Sequence, residues 1–352
     1  MTKKPERPSA AFDPYSIFLK AEARRRRSRF IEAAALYLEA SKLAGVDVDL
    51  RAECSFSLGD CYRLTGDFSK ASMCYRRAHK LFLKMGDEVR ASDAMAGLGL
   101  SLRATGRLKE ARVIFNDCLR FYRSRADCEG EGFLLWARGG VLRLMGDLKG
   151  SVRDFHAAKK IFSRIKDRSG AAYCLTGLGG VSRVMGDFKA SGKYYRSANR
   201  QFTSLKDTFG LAYSYCGIAN SMRMKGDYKG SLEFFRKARS NYKKIGDRVS
   251  YAYTLWAEGT SLQMLGRVKR AEKDFIEALR LFKETGDRRG VIYCLISTGE
   301  IEFGVDPARG LMKVKKALKR AEKLEMKVEA RYAGLVLKTA QKHPEKLPLN
   351  LA

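Results

Sequence analysis

The sequence predicts an all-α fold, an α-solenoid of about eight helix-turn-helix repeats closed by a C-terminal capping helix. Two sets of residues recur every forty positions, and apolar stripes with helical spacing accompany them. Self-similarity at such a period indicates stacked units that bury their apolar faces against their neighbours. The recurring residues are Gly66, Gly106, Gly146, Gly186, Gly226 and Gly266, and Asp87, Asp127, Asp167, Asp207, Asp247 and Asp287.

The unit from Ala52 to Arg90 shows how each repeat divides into two helices. We expect its first helix, helix A, to run to about Leu64 and to end at Gly66, which suits the left-handed residue that closes a helix. Asp67 suits the N-cap of the second helix, helix B, which starts near Phe68. The Gly-Asp pair recurs in three further units, whereas two units keep the glycine and have arginine after it.

Helix B carries an apolar stripe, and helix A carries a second column of glycines. Ala71, Tyr75, Ala78 and Phe82 follow the i, i+4, i+7, i+11 spacing of one buried helical face. A glycine inside a helix costs about 1 kcal/mol relative to alanine, so its recurrence predicts that the backbone of a partner helix comes close. These glycines are Gly59, Gly99, Gly139, Gly179, Gly259 and Gly299.

The same residues resemble the tetratricopeptide repeat in order and spacing. The pattern consists of Leu58-Gly59, Tyr62, Gly66-Asp67, Ala71, Tyr75 and Ala78, and the forty-residue length is similar to the Pins/LGN and rapsyn type and to bacterial regulators of this family. The resemblance implies a right-handed superhelix in which helix A lines the concave groove. It also implies a binding scaffold, although the family does not identify the ligand.

The repeat pattern becomes irregular at both ends of the chain. We expect a disordered basic tail over residues 1–13, about eight repeats over 14–326, a capping helix over 327–342 and a second disordered tail over 343–352. The capping helix is expected because the last repeat would otherwise expose its apolar face.

The composition favours an anionic partner. The chain has 69 Lys and Arg against 39 Asp and Glu, a formal charge of +30, although a generally basic solvated surface is the alternative explanation.

The eight cysteines lack CxxC spacing and are expected to be buried thiols in a reducing compartment, which favours a cytoplasmic protein. No apolar run reaches eighteen residues, so no membrane partner is expected.

Motifs for catalysis are missing from the sequence. The three histidines are scattered, and no Walker A sequence, nucleophile elbow or metal-ligand spacing is present. We therefore expect a protein that is not an enzyme, with no cofactor, no metal and no small-molecule substrate.

Three columns of the repeat are candidates for binding, and we name them the arginine row, the aromatic row and the lysine row. The first two fall on the groove-facing side of helix A that the resemblance implies, and the third falls in the first turn of helix B as a basic rim. The arginine row is Arg25, Arg63, Arg103, Arg143, Arg183 and Arg223; the aromatic row is Phe133, Tyr173, Tyr213, Tyr253 and Tyr293, with Trp136 and Trp256 three residues after it; the lysine row is Lys109, Lys149, Lys189, Lys229 and Lys269.

Each row also has a structural explanation that the sequence leaves open. Arginine in the last turn of a helix satisfies terminal carbonyls and the negative end of the helix dipole. The tyrosines are also consistent with packing between neighbouring A helices, and the lysines with a solvated face. Lysine in a first turn opposes the dipole, however, which favours a role in binding.

Two functions are consistent with these rows. The first is a protein-protein interaction scaffold whose groove binds an extended acidic segment, with arginines on carboxylates and aromatic rings on apolar side chains. The alternative is an RNA or single-stranded nucleic-acid binding protein, in which the basic rim follows phosphates and the rings stack on bases.

Overall fold

The structure, a computed structural model, describes residues 13–350 and confirms the all-α solenoid class. This part of the chain contains seventeen α-helices, one short 3-10 helix and no β-strand. The helices are α1 (Pro14–Arg26), α2 (Phe30–Leu43), α3 (Val48–Thr65), α4 (Phe68–Lys84), α5 (Glu88–Ala104), α6 (Leu108–Ser124), α7 (Cys128–Met145), α8 (Leu148–Arg164), α9 (Arg168–Val184), α10 (Phe188–Leu205), α11 (Thr208–Met224), α12 (Tyr228–Ile245), α13 (Arg248–Met264), α14 (Val268–Glu284), α15 (Arg288–Phe303), α16 (Pro307–Lys323) and α17 (Lys327–Lys342).

Local capping chemistry sets the helix boundaries. Gly66 has φ 87°, a left-handed conformation that costs little without a β-carbon, and it closes α3. The Asp67 carboxylate accepts the backbone N–H of Lys70 at 3.1 Å and caps α4. Arg107 and Arg267 stand at the equivalent N-cap positions of α6 and α14, and neither makes a side-chain capping bond.

The chain divides between Ser101 and Leu102 into two compact units. In the first unit, α1 packs on α2, α2 on α3, and α3 on α4. Its core contains Ala52, Ala78 and Phe82. The forty-residue register continues unchanged through the boundary, so the sequence carries no signal for the division.

In the second unit, the A helices form an inner row, and the last helix of this row contacts the first. Helices α7, α9, α11, α13, α15 and α17 each contact the next in this order, and α17 also contacts α7. The turn that precedes α17 completes the closure, because Glu325 Oε1 lies 2.7 Å from Lys109 Nζ and the Met326 side chain lies against Gly106. The last helix, α17, therefore packs against α7, the first complete A helix of this unit.

Aromatic rings of the B helices occupy the space that the glycine column leaves. A β-carbon on Gly179 would lie 2.9 Å from the Tyr195 ring, and one on Gly217 in the next A helix would lie 2.1 Å from it. At Gly179 the prediction of a close helix backbone is wrong, because the Tyr195 ring fills the gap between helices. The backbone does come close at Gly299, where the Gly310 carbonyl oxygen would lie 3.0 Å from a β-carbon.

The two predicted tails have different outcomes. Residues 1–12 of the first lie outside the described part, while Asp13 caps α1 by accepting the Ser16 N–H at 2.9 Å. The second was expected to be disordered, and for residues 343–350 this is wrong. Pro344–Lys346 form a 3-10 turn that packs on α17, and Leu347 and Leu349 contact the core of the second unit. Burial of the apolar leucine side chains compensates for part of the conformational entropy that this segment loses when it becomes ordered.

The described residues hold no disulfide, and each of the eight cysteines is a buried or half-buried thiol. In residues 13–350 no group of His, Cys, Asp and Glu could hold a metal ion. None of the helices in that range is both long and apolar enough to cross a membrane.

Candidate functional site in the second unit

In the first unit, an acid on the same helix neutralises each member of the arginine row. Arg25 forms an ion pair at 2.9 Å with Glu22, three residues earlier. Arg63 contacts Asp60 at 3.2 Å with the same spacing, and its Nε donates to the Tyr75 hydroxyl at 3.2 Å. These two guanidinium groups are therefore built into the fold of the first unit.

The second unit has lost that acid. Gly140, Gly180 and Asn220 occupy the position three residues before Arg143, Arg183 and Arg223. Within residues 13–350, neither Arg143 nor Arg183 has a carboxylate within ion-pair distance, although both side chains are half-buried. The Arg143 side chain lies beside Gly180, where its Nε would be 3.7 Å from a β-carbon, an ordinary van der Waals distance.

The arginines of the second unit lie close enough to influence one another's ionisation. Burial lowers the pKa of Arg143, and the positive charges of Arg289 and Arg183 lower it further against the opposing effect of Tyr213. Burial and the charge of Arg183 also lower the pKa of Arg223. Since these effects destabilise the charged guanidinium groups, the cluster would gain from an added anion.

Arg223 differs from its two neighbours because a C-terminal residue covers it. Its side chain is fully buried, at 0% exposure. Nη1 donates to Asn350 Oδ1, while Asn350 Nδ2 donates to the Arg223 carbonyl oxygen at 2.8 Å. Nε and Nη2 donate to Asn220 Oδ1 at 3.3 and 3.2 Å. The repeat register predicts this arginine on an open groove surface, and the C-terminal residues cover it instead.

Helix α17 carries two buried polar side chains, Glu329 and Tyr332. Glu329, which is 1% exposed, accepts the Tyr293 hydroxyl at Oε1 at 2.8 Å. The Tyr332 hydroxyl on the same helix is buried and has no hydrogen-bond partner in the described residues. Burial raises the pKa of Tyr332, and the charge of Arg183 partly offsets this.

Most of the aromatic row is used in packing between repeats. The Tyr173 hydroxyl donates to Asp207 at 3.0 Å, and the Tyr253 hydroxyl donates to Asp287 at 2.9 Å, each across to the next A helix. Trp256 is 6% exposed and donates through Nε1 to Ser297 at 2.9 Å. Tyr293 is 7% exposed. For these residues the structure favours the packing explanation, because their polar atoms already have partners.

Two rings of the aromatic row remain open to solvent. Phe133 is 37% exposed and Tyr213 is 39% exposed. Trp136 is half-buried between the Phe133 and Tyr173 rings, with centroid separations of 5.8 and 6.3 Å. Arg103 lies over the same indole, 5.8 Å from its centroid. The open aromatic surface of the second unit is therefore confined to a smaller region than the sequence predicted.

Comparison with known proteins identifies the repeat. The family model described as tetratricopeptide repeat matches residues 15–84. Residues 15–84 therefore match the tetratricopeptide repeat family, and the forty-residue register continues the same pattern through the later units. No sequence among curated proteins matches it.

Solved structures share the fold of this chain. A Rap protein in complex with competence and sporulation factor is 13% identical, with a TM-score of 0.62 over 94% of this chain and 98% of the other. The apo form of RapI is 18% identical, with a TM-score of 0.57 over 77% and 99%. Cut9, in the Cut9-Hcn1 hetero-tetramer of the APC/C, is 14% identical, with a TM-score of 0.61 over 96% and 57%. At these identities the likeness concerns the fold alone.

The lysine row is solvent-exposed. All five lysines stand in the first turn of a B helix, as the register predicts. Lys109 forms the ion pair with Glu325 that closes the inner row, so it has a structural partner. No ion pair involves the other four within residues 13–350, and we name these four the free rim: Lys149, Lys189, Lys229 and Lys269.

Sequence reasoning missed several residues of the site. Gly140 and Gly180 carry a readable signal, since they replace the acid found at Glu22 and Asp60. Asn350 carries none, because it lies outside the repeat register in a segment with the composition of a tail.

Proposed function

We propose that this protein is a non-enzymatic interaction scaffold whose second unit binds an extended acidic segment of a partner protein. The observation that carries the proposal is the pair Arg143 and Arg183, two half-buried guanidinium groups without a carboxylate partner in residues 13–350. Partly desolvated cations of this kind destabilise a protein unless an anion meets them.

A carboxylate is the anion that this site suits best. A guanidinium group offers paired N–H donors that match the two oxygens of a carboxylate, and charge-assisted bonds are stronger where water is excluded. In an extended peptide, alternate side chains point to opposite faces. An acidic residue could therefore face the arginines while a neighbouring apolar residue packs on Phe133 or Tyr213, the exposed rings of the same unit.

The structural comparisons are consistent with a binding role. The fold is shared with a Rap protein that was solved in complex with competence and sporulation factor, and with a component of a hetero-tetramer. These relatives support the class of function, while the acidic chemistry of the ligand comes from the arginines of this chain.

A designed peptide tests the proposal. The probe is a fluorescein-labelled, C-terminally amidated peptide of five Asp-Leu pairs, and its neutral counterpart has five Asn-Leu pairs. Fluorescence anisotropy would compare the wild-type chain with the double variant R143E/R183E. The matched control is R153E/R200E, which makes the same change of charge at two exposed positions on α8 and α10.

We expect R143E/R183E to bind the acidic probe at least about tenfold more weakly than R153E/R200E does, and the neutral peptide to bind weakly to every chain. Circular dichroism would verify that each variant keeps its helices. Equal binding by the two double variants would contradict a specific site, because it would reduce the interaction to net charge.

The free rim gives the same experiment a second arm. If a labelled single-stranded RNA bound at sub-micromolar strength with a steep salt dependence, and K149E/K189E/K229E abolished that binding while R143E/R183E did not, nucleic acid would replace an acidic protein as the ligand. We expect no such RNA binding after nuclease treatment of the purified protein.

A further inference from the structure

A cleft in the second unit lies between the B helices α12 and α14, with the A helix α13 as its floor. We name it the α12–α14 cleft. Its volume is about 640 Å³, which lies within the range of roughly 300–1,000 Å³ that small-molecule sites occupy. None of the described residues that line it belongs to the arginine row or the aromatic row. The cleft is therefore separate from the site described above.

The floor of the α12–α14 cleft carries a buried ion pair. Glu258 on α13 is 8% exposed, and its Oε2 accepts from Arg239 Nη1 on α12 at 2.8 Å. The other carboxylate oxygen, Oε1, makes no hydrogen bond in residues 13–350. Four other A helices have an aliphatic residue at this register position: Leu58, Leu98, Leu178 and Ile218. A buried acid in place of an aliphatic side chain costs stability, which indicates a binding role for Glu258.

The start of α14 brings two arginines to the cleft without the acid that accompanies such a residue elsewhere. In α6, Arg107 stands at the N-cap, and its Nε donates to Glu110 Oε1 at 2.6 Å. In α14, Arg267 stands at the N-cap, and Arg270 occupies the position of that glutamate. Two cations at the positive end of a helix dipole destabilise the helix unless an anion neutralises them.

Four cations line the cleft, and we name them the cleft cations: Arg236, Lys243, Arg267 and Arg270. All four residues are exposed, and none of them forms an ion pair within the described range 13–350. Glu233 also lines the cleft, but it already pairs with a lysine of its own helix at 2.7 Å. The cleft therefore presents more positive charge than its own carboxylates neutralise.

A phosphate group matches this arrangement of donors. It carries up to about two negative charges, and its three terminal oxygens accept from several guanidinium groups at once. A carboxylate has one charge and two oxygens, which satisfies fewer of the cleft cations. The free oxygen of Glu258 requires a hydrogen-bond donor, which the hydroxyl or amino groups of an organic phosphate ester supply.

We propose that the α12–α14 cleft binds a nucleotide, whose phosphates meet the cleft cations and whose sugar or base donates to Glu258. The nucleotide contacts α12, α13 and α14 together, so it stabilises the stacking of two repeats. Because it binds the folded chain, it raises the thermal unfolding midpoint.

Isothermal titration calorimetry at fixed ionic strength tests the class of ligand. The probes are ADP, inorganic pyrophosphate and citrate, an anion of similar charge that carries carboxylates. We expect the wild-type chain to bind pyrophosphate at least about tenfold more tightly than citrate, and ADP at least about tenfold more tightly than pyrophosphate. Failure of ADP to bind would overturn the proposal, and citrate that binds as tightly as pyrophosphate would overturn the assignment to phosphate.

Arg270→Glu tests the cleft cations with little risk to the fold. It restores the acid that α6 has at this position, so it should pair with Arg267 and raise the unfolding midpoint of the chain without ligand. We expect it to bind ADP at least about tenfold more weakly than Arg153→Glu does. Arg153→Glu makes the same change of charge at an exposed position on α8. Equal affinities of the two variants for ADP would overturn the cleft as the site, because only net charge would then matter.

A transplant tests the floor of the cleft. R239N/E258I introduces the residues of the preceding repeat, Asn199 and Ile218, and leaves the net charge unchanged. We expect this variant to bind pyrophosphate within about threefold of the wild type and to lose the preference for ADP over pyrophosphate. Circular dichroism would verify its helices. An undiminished preference for ADP would overturn the contact with Glu258.

Two further measurements separate the cleft from the other basic surfaces. R143E/R183E should bind ADP as the wild type does, and loss of ADP binding in that variant would place the nucleotide at the arginine row instead. A labelled single-stranded RNA that displaced ADP and bound more tightly than ADP would also overturn the proposal, because the cleft would then be part of a longer nucleic-acid path.

Discussion

Tyr253 on α13 donates its hydroxyl to Asp287, the residue that caps α15, at 2.9 Å. The same carboxylate accepts the Gly290 N–H at 2.8 Å, so one side chain starts a helix and joins two repeats. The Tyr173 hydroxyl makes the equivalent bond to Asp207. Because this contact recurs, tyrosines of the aromatic row join neighbouring repeats. Their position in the repeat does not reveal this role.

Loss of the Tyr253 hydroxyl should destabilise the second unit. We expect Tyr253→Phe to lower the free energy of unfolding by about 1 kcal/mol, because the buried Asp287 carboxylate loses a donor. The measurement is urea unfolding followed by circular dichroism. Tyr213→Phe is the control, since that side chain is 39% exposed and should change stability little. Equal effects of the two substitutions would contradict this account of the tyrosines.

The glycines beside Tyr195 predict opposite outcomes for two similar substitutions. Gly217→Ala should lower stability by about 1–3 kcal/mol, because its β-carbon would lie 2.1 Å from the Tyr195 ring. Gly334→Ala on α17 should raise stability by up to about 1 kcal/mol, because a β-carbon there meets no atom within 4 Å and alanine favours helix. Thermal unfolding midpoints would compare the pair, and a lower midpoint for both would show that helix propensity is not the deciding factor at Gly334.

The repeat architecture was predictable because its signals are local. Gly66 and Asp67 act within one turn of chain, and the same chemistry recurs in the later units. The closure of the second unit was not predictable. Lys109 and Glu325 are 216 residues apart, and their contact depends on a small rotation added at every repeat, which no single motif records.

The unpaired arginines predict that a substitution can stabilise the protein while removing its function. Arg183→Gln should raise the free energy of unfolding by about 1 kcal/mol, because it removes a partly buried charge that opposes those of Arg143 and Arg223. Arg63→Gln should lower it by a similar amount, because it leaves the Asp60 carboxylate without its cation. Urea unfolding of the two variants provides the measurement.

The opposite signs of these two effects are the informative result. If Arg183→Gln were destabilising to the same degree as Arg63→Gln, the second-unit arginines would be structural helix-terminal residues, and the binding proposal would lose its basis. The sequence could not decide between these explanations, because the six arginines share one register position. What separates them is the partner three residues earlier, which is acidic at Glu22 and Asp60 and glycine at Gly180.

Glu300 makes the stability of the second unit depend on pH. Burial raises the pKa of this carboxyl group to about 8, although the hydrogen bond from Leu349 opposes the shift. In the unfolded chain the pKa returns to about 4.3. The folded state therefore binds the proton more tightly, so its contribution to stability is complete below about pH 4 and is lost as the pH rises to about 8.

We expect the wild-type chain to lose on the order of 3 kcal/mol more than Glu300→Gln when urea unfolding is compared at pH 5 and pH 8. Glutamine keeps an oxygen for the Leu349 N–H and cannot ionise, so it isolates the titration from the hydrogen bond. Other titrating groups contribute equally to both chains and cancel in the comparison. An equal pH dependence in the two chains would mean that Glu300 ionises as freely in the folded protein as in the unfolded one, and that the contact with the C-terminal segment does not shield it from water.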